Sequence, residues 1–188
     1  MADLFDLPGL DGRDNTPGLK GNIFVAAEDD FEVIKGFKTT NAAGDSVTID
    51  GSHTFKEGKG FVQVYTTQDT AQFKLGNVGE RDGRGKKATG EFFNPGNTKV
   101  AAEFDRIIKN RSCIVLVQTP DGQCLQFGGA GLGLEVLGEW DSAKLSGGRR
   151  GFMYKCEGYQ NGLQFYEGGI VRPDGSSISA LTGVVTGG

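Results

Sequence analysis

The residues best suited to chemistry here are one histidine, three cysteines, clustered carboxylates and several glycine-rich stretches. His53 is the only histidine, and the cysteines, Cys113, Cys124 and Cys156, are not clustered in pairs. A zinc site built on His53 would lack partners. A Ser-His-Asp triad needs a serine in a nucleophile elbow, and no serine sits in that setting. His53 lies in Asp50-Gly51-Ser52-His53-Thr54, which reads as a turn. An odd, sparse cysteine set points to small buried thiols and a reducing assembly compartment rather than a disulfide scaffold.

The glycine-rich stretches fail as nucleotide loops. In Gly128-Gly129-Ala130-Gly131-Leu132-Gly133 the third position of a dinucleotide loop is Ala130, and no helix follows to receive a phosphate. Gly83-Arg84-Gly85-Lys86-Lys87-Ala88-Thr89 has Glu80 where a phosphate loop needs its first glycine, and Lys87 where it needs Ser or Thr. Glu28-Asp29-Asp30 reads as a solvated turn, and its spacing matches no calcium loop. Trp140, Phe152, Tyr154, Tyr159, Phe165 and Tyr166 have few bases between them, only Arg149, Arg150 and Lys155, so they read as core rather than as a stacking platform. No cofactor, metal or catalytic constellation is expected, and the chain reads as a non-enzyme.

Composition bounds the rest. The 188 residues include 32 glycines, are 37% hydrophobic and carry a net charge of −4. Such a length suits one domain, while the glycine content implies many turns and long loops. An acidic balance opposes coating of nucleic acid. It suits a surface that DNA slides past. No apolar run reaches the roughly 18 residues of a membrane span, so no membrane partner is expected. Residues 1–6 carry acids and no base, unlike a signal peptide.

The elements that must carry these residues are mostly short strands. Residues 1–21 form a loop-rich arm with turn signals at Pro8-Gly9, Asp11-Gly12 and Pro17-Gly18, and with Leu4, Phe5, Leu7 and Leu10 between them. Strands are expected at 22–26, 31–35, 46–50, 61–66, 71–78 and 87–93. The last two flank a charged hairpin tip that includes Glu80, Arg81, Asp82 and Arg84. Val100, Ala101, Phe104, Ile107 and Ile108 recur at helical spacing, and Asn97 or Thr98 can cap the start. This predicts one helix, about 98–110, laid against a sheet. Cys113-Ile114-Val115-Leu116-Val117 is the most apolar run and turns at Pro120-Asp121-Gly122 into 123–127. Strands at 132–140, 151–157 and 163–166 follow. The predicted fold is mainly β: an antiparallel sandwich or barrel over 22–170 with one flanking helix. Residues 171–188 read as a Gly/Ser-rich C-terminal arm.

One resemblance spans residues 60–169. Its markers are Tyr65-Thr66-Thr67-Gln68-Asp69-Thr70, Gly90-Glu91-Phe92-Phe93-Asn94-Pro95-Gly96-Asn97 before the helix, Asp121-Gly122 followed by Gly128-Gly129, Gly147-Gly148-Arg149-Arg150-Gly151 and Tyr166-Glu167-Gly168-Gly169. This pattern resembles virion structural proteins of tailed phages, most closely the major tail tube proteins of Bacteroidetes-infecting phages. The resemblance implies a tail-tube-like fold and self-association into stacked, usually hexameric rings that form a DNA-ejection conduit. It also implies other virion proteins as partners, genomic DNA passing without sequence-specific binding, and a place in the virion tail after assembly in the host bacterial cytoplasm. An auxiliary capsid or head–tail connector protein is the related alternative. A carbohydrate- or nucleic-acid-binding β-domain is the alternative from another class. For a self-assembling subunit the expected contacts are Leu4, Phe5, Leu7, Leu10, the tip charges Glu80, Arg81, Asp82 and Arg84, and the tail residues Ile178, Leu181 and Val184. Residues 39–59 are expected to bridge between rings.

Overall fold

The computed structural model describes residues 6–7, 9–10, 12, 14–40 and 42–186, with the side chain of Thr186 excepted. The chain forms strands β1 (Asn22–Ala27), β2 (Phe31–Val33), β3 (Thr48–Ile49), β4 (Thr54–Phe55), β5 (Val62–Tyr65), β6 (Gln72–Val78) and β7 (Gly85–Pro95). Helix α1 (Lys99–Ile108) follows, and then β8 (Cys113–Gln118), β9 (Cys124–Phe127), β10 (Glu135–Asp141), β11 (Gly151–Gln160) and β12 (Gln164–Tyr166). The last strands are β13 (Gly169–Val171), β14 (Ser177–Ser179) and β15 (Val185–Thr186).

A six-stranded sheet, β3-β12-β9-β8-β1-β5, lies at the centre. Its pairings are antiparallel except for β12 with β3. Alternation along β1 and β8 sends side chains to both faces, and both faces are buried. Ile23, Val25, Cys113, Val115 and Val117 join one core, with Phe92, Phe152, Tyr154 and Val136 of the four-stranded sheet β10-β11-β7-β6. Phe24, Ala26, Ile114 and Leu116 join a second core, with Phe31, Ile170, Ile178 and Ala180. Burial on both sides explains why the β8 sequence is apolar without a polar alternate.

The sandwich is therefore covered by a further layer, formed by the hairpin-like pair β2-β4 and the three-stranded sheet β13-β14-β15. This corrects the expected C-terminal arm. Ile178 pairs with Ile170 inside the second core and is buried, so it is not a surface contact. The expected bridging loop at 39–59 is likewise drawn in part into the domain, through β3, β4 and the buried His53.

Helix α1 starts where the capping chemistry expected it: Thr98 Oγ1 accepts the Ala101 N–H at 3.1 Å. The helix crosses the opening between β5 and the β10–β11 side of the four-stranded sheet. Ala101, Phe104 and Ile108 pack on the first core, and Phe104 meets Tyr154 edge-on at 5.7 Å. The β6–β7 hairpin also forms as expected, with Val78 opposite Gly85. Gly79 takes φ +86° at its tip, and a Cβ there would lie 2.5 Å from the Gly83 carbonyl oxygen.

Candidate self-assembly surface

The chemistry-bearing residues are placed inside the domain. His53 is buried, not in an open turn. Its Nδ1 accepts the Lys35 N–H at 3.0 Å, and its Nε2 pairs with Gln126 Oε1 at 2.8 Å. An amide oxygen only accepts, so the proton sits on Nε2 and the ring is neutral. Burial pushes its pKa down, against the upward pull of the Gln126 bond. The ring stacks on Tyr166 at 4.8 Å and meets Phe31 edge-on. Tyr166 Oη accepts the His53 N–H and donates to the Gly169 carbonyl. His53 thus joins β2, β9, β12 and β13 as a structural link.

The cysteines are free thiols, all buried, and burial pushes each up to about 12. Cys113 and Cys124 face opposite cores of the central sheet. Thiols held this far above neutrality carry almost no thiolate. No group of three or more metal-ligating side chains occurs among the described residues. None of their helices is long and apolar enough to cross a membrane.

The open features lie on the rim of the sandwich. Strand β5 ends the central sheet. Thr66 N–H donates to the Gly21 carbonyl at 2.9 Å, two residues before the Ile23–Val64 pair. Alternation in an antiparallel ladder then turns Val62 and Val64 toward β1 and leaves Gln63 and Tyr65 facing outward. Asn94 Nδ2 takes the Tyr65 carbonyl at 2.9 Å, so the Gln63 N–H and C=O and the Tyr65 N–H remain on the edge.

A groove runs beside this edge, between β5 and α1. Two cavities of about 360 and 220 Å³ share Val62 and Phe104 and make it continuous. Its walls expose apolar surface: Val100 is 77% exposed, Ile107 50% and Val62 39%. The helix stripe is therefore wider than the core it covers. Tyr154 lines the groove floor and is 1% exposed. On the far side of the sandwich, β6 ends the four-stranded sheet. A cavity of about 530 Å³ opens there, lined by Phe73, Leu75, Leu125 and Phe127.

The expected contacts are scattered around this rim. Glu80, Arg81, Asp82 and Arg84 are exposed at the β6–β7 tip, and none forms an ion pair among the described residues. Leu7 is 91% exposed, and Leu10, Leu181 and Val184 are also exposed. Leu4 and Phe5 lie outside the described residues. Sequence reasoning missed Val62, Tyr65, Val100 and Ile107 as surface groups. The helix periodicity held the signal for two of them, since Val100 and Ile107 sit on one margin of the stripe.

Comparison of the chain with protein-family profiles, with curated proteins and with solved structures returns no match.

Proposed function

We propose that this chain is a virion structural subunit that assembles with copies of itself into stacked rings, as a tail tube does. The observation that carries the self-assembly reading is the β5 edge with its unpaired backbone groups beside an apolar groove. A lone domain protects such an edge with charge, proline or a covering element, because it templates pairing with another chain. Here the chain covers only the ends, with Val171 taking the Phe61 N–H at 2.8 Å and Asn94 the Tyr65 carbonyl, and Val62, Tyr65, Val100 and Ile107 flank the stretch between. The β6 edge and the mixed charges at 80–84 offer a second rim on which neighbours could find register. The tail assignment is supported by the residue resemblance over 60–169, and the net charge of −4 suits a conduit that repels DNA from its wall.

Purified, concentrated protein is expected to form rings or tubes in negative-stain electron microscopy. A population that stays monomeric at high concentration, by light scattering and by imaging, would sink the proposal. Rings that never stack would favour a head–tail connector.

A further inference from the structure

The groove between β5 and α1 has one occupant that this chain itself supplies, and naming it rests on the self-assembly reading above. We infer that the N-terminal segment 3–7 of a second copy adds to β5 as an antiparallel strand, with Leu7 opposite Val62, Asp6 opposite Gln63 and Phe5 opposite Val64.

Three observations fix this register. The first is the backbone. Gln63 offers an N–H and a C=O outward, and Tyr65 offers an N–H. Asp6 opposite Gln63 satisfies both groups of Gln63, and Leu4 accepts from Tyr65. The outward Phe61 N–H already donates to the Val171 carbonyl at 2.8 Å, so the open edge ends at Val62, and Pro8, which has no N–H to contribute, follows Leu7 there.

The second is the apolar pattern. Val62 and Val64 point to the α1 side of the sheet, where Val64 joins the first core. Residues opposite them point the same way. Phe5 and Leu7 are spaced two apart and so enter the groove beside Val100, Phe104 and Ile107. Leu7 stands 91% exposed among the described residues.

The third is charge. Gln63 faces the other side, where its Oε1 accepts from Arg172 Nη1 at 3.1 Å. Arg172 forms no ion pair among the described residues, and its Nε is buried without an acceptor. Asp6, opposite Gln63, brings a carboxylate to that guanidinium. At the groove itself Arg111 is already paired with Asp30 at 3.0 Å, so Arg172 is the charge that Asp6 would meet; residues 1–10 contain Asp3 and Asp6 and no base. A shift of one residue would turn Asp6 into the apolar groove and the apolar pair toward Arg172.

The test uses disulfide trapping in the full chain, and the native thiols do not interfere because all three are buried. Val62 and its partner form a pair without mutual hydrogen bonds, with Cα atoms about 4.5 Å apart, inside the range a disulfide spans. Mixing Leu7→Cys protein with Val62→Cys protein under mild oxidation is expected to give a disulfide between two chains. Pairing Leu7→Cys with Gln63→Cys is expected to give at least about tenfold less, because that register points the sulfurs apart. Asp6→Lys in the Leu7→Cys protein is expected to lower the yield several-fold. Rings or tubes that form without the 7–62 disulfide would overturn the arm assignment and leave self-assembly standing. Equal trapping at 62 and 63 would overturn the register. A Leu7→Cys/Val62→Cys double variant that closes within single monomers would show the arm folding back on its own chain, and would overturn exchange between copies. A chain that neither assembles nor cross-links overturns both readings.

Discussion

Replacing Ile178 by alanine tests whether the C-terminal segment belongs to the fold. Ile178 is 5% exposed, sits opposite Ile170 on β13, and packs in the second core with Phe24, Ile114 and Leu116. The substitution removes three carbons. At about 0.8 kcal/mol per methylene the lost transfer energy is about 2.4 kcal/mol. The cavity left behind raises the cost to about 3 kcal/mol, within the 2–5 found for such truncations. For a chain of this size each kcal/mol moves the melting temperature by about 2–4 °C, so a drop of about 6–12 °C is expected. Urea unfolding followed by tryptophan fluorescence, on protein dilute enough to be monomeric, reads the same loss as a lower midpoint with unchanged slope. Val184→Ala, at an exposed position of the same segment, is the control and should stay within about 0.5 kcal/mol. An Ile178→Ala variant as stable as the control would show that residues 171–186 do not contribute to the core.

Three further outcomes follow from the packing. His53 has a native pKa below its ordinary 6.5, so the unfolded chain binds more protons as pH falls. The stability it contributes is present above about pH 6.5 and is lost as pH falls toward the depressed native value. His53→Gln should flatten that part of a plot of urea midpoint against pH, and parallel curves would refute the link. The cysteines should be silent to a thiol reagent in the native protein and give three equivalents per chain in denaturant; fast native labelling would place at least one thiol at the surface. Gly60→Ala puts a Cβ 2.4 Å from the Arg172 carbonyl carbon and 2.7 Å from the Pro173 nitrogen, so it should cost about 1–3 kcal/mol in thermal unfolding. Gly36→Ala, with open space around it, should show no such loss.

The long, periodic elements were legible in the sequence. Helix α1, its Thr98 cap, the β6–β7 hairpin and the continuous apolar run of β8 each carry a local signal of several residues. What β8 alone did not reveal is that both faces are covered. The strands β13, β14 and β15 are two or three residues long and lie in a segment rich in Gly and Ser. β13 and β14 turn in one core residue each, Ile170 and Ile178, and Val185 of β15 is exposed, so there is no period to detect. His53 failed for a related reason. Asp50-Gly51-Ser52 before it signals a turn, but its burial comes from Gln126 and Tyr166, far along the chain. The rim followed the same rule: charges at 80–84 were visible because a hairpin tip is local. The β5–α1 groove needs two elements brought together by the sandwich.

The strand order of the central sheet sets a timetable for synthesis. Strands β1 and β5 come from the first third of the chain, but β8 must pair on the other side of β1, and β9, β12 and β3 lie beyond it. The parallel β12–β3 pair joins residues 165–166 to 48–49. Pairings that close such long loops form late, after their entropy has been offset by neighbouring contacts. A ribosome-bound chain therefore holds no finished sheet, and no firm β5 edge, until nearly all of it has emerged. Under the assembly proposed above, this order would keep neighbouring nascent chains on one messenger from joining before the subunit is complete.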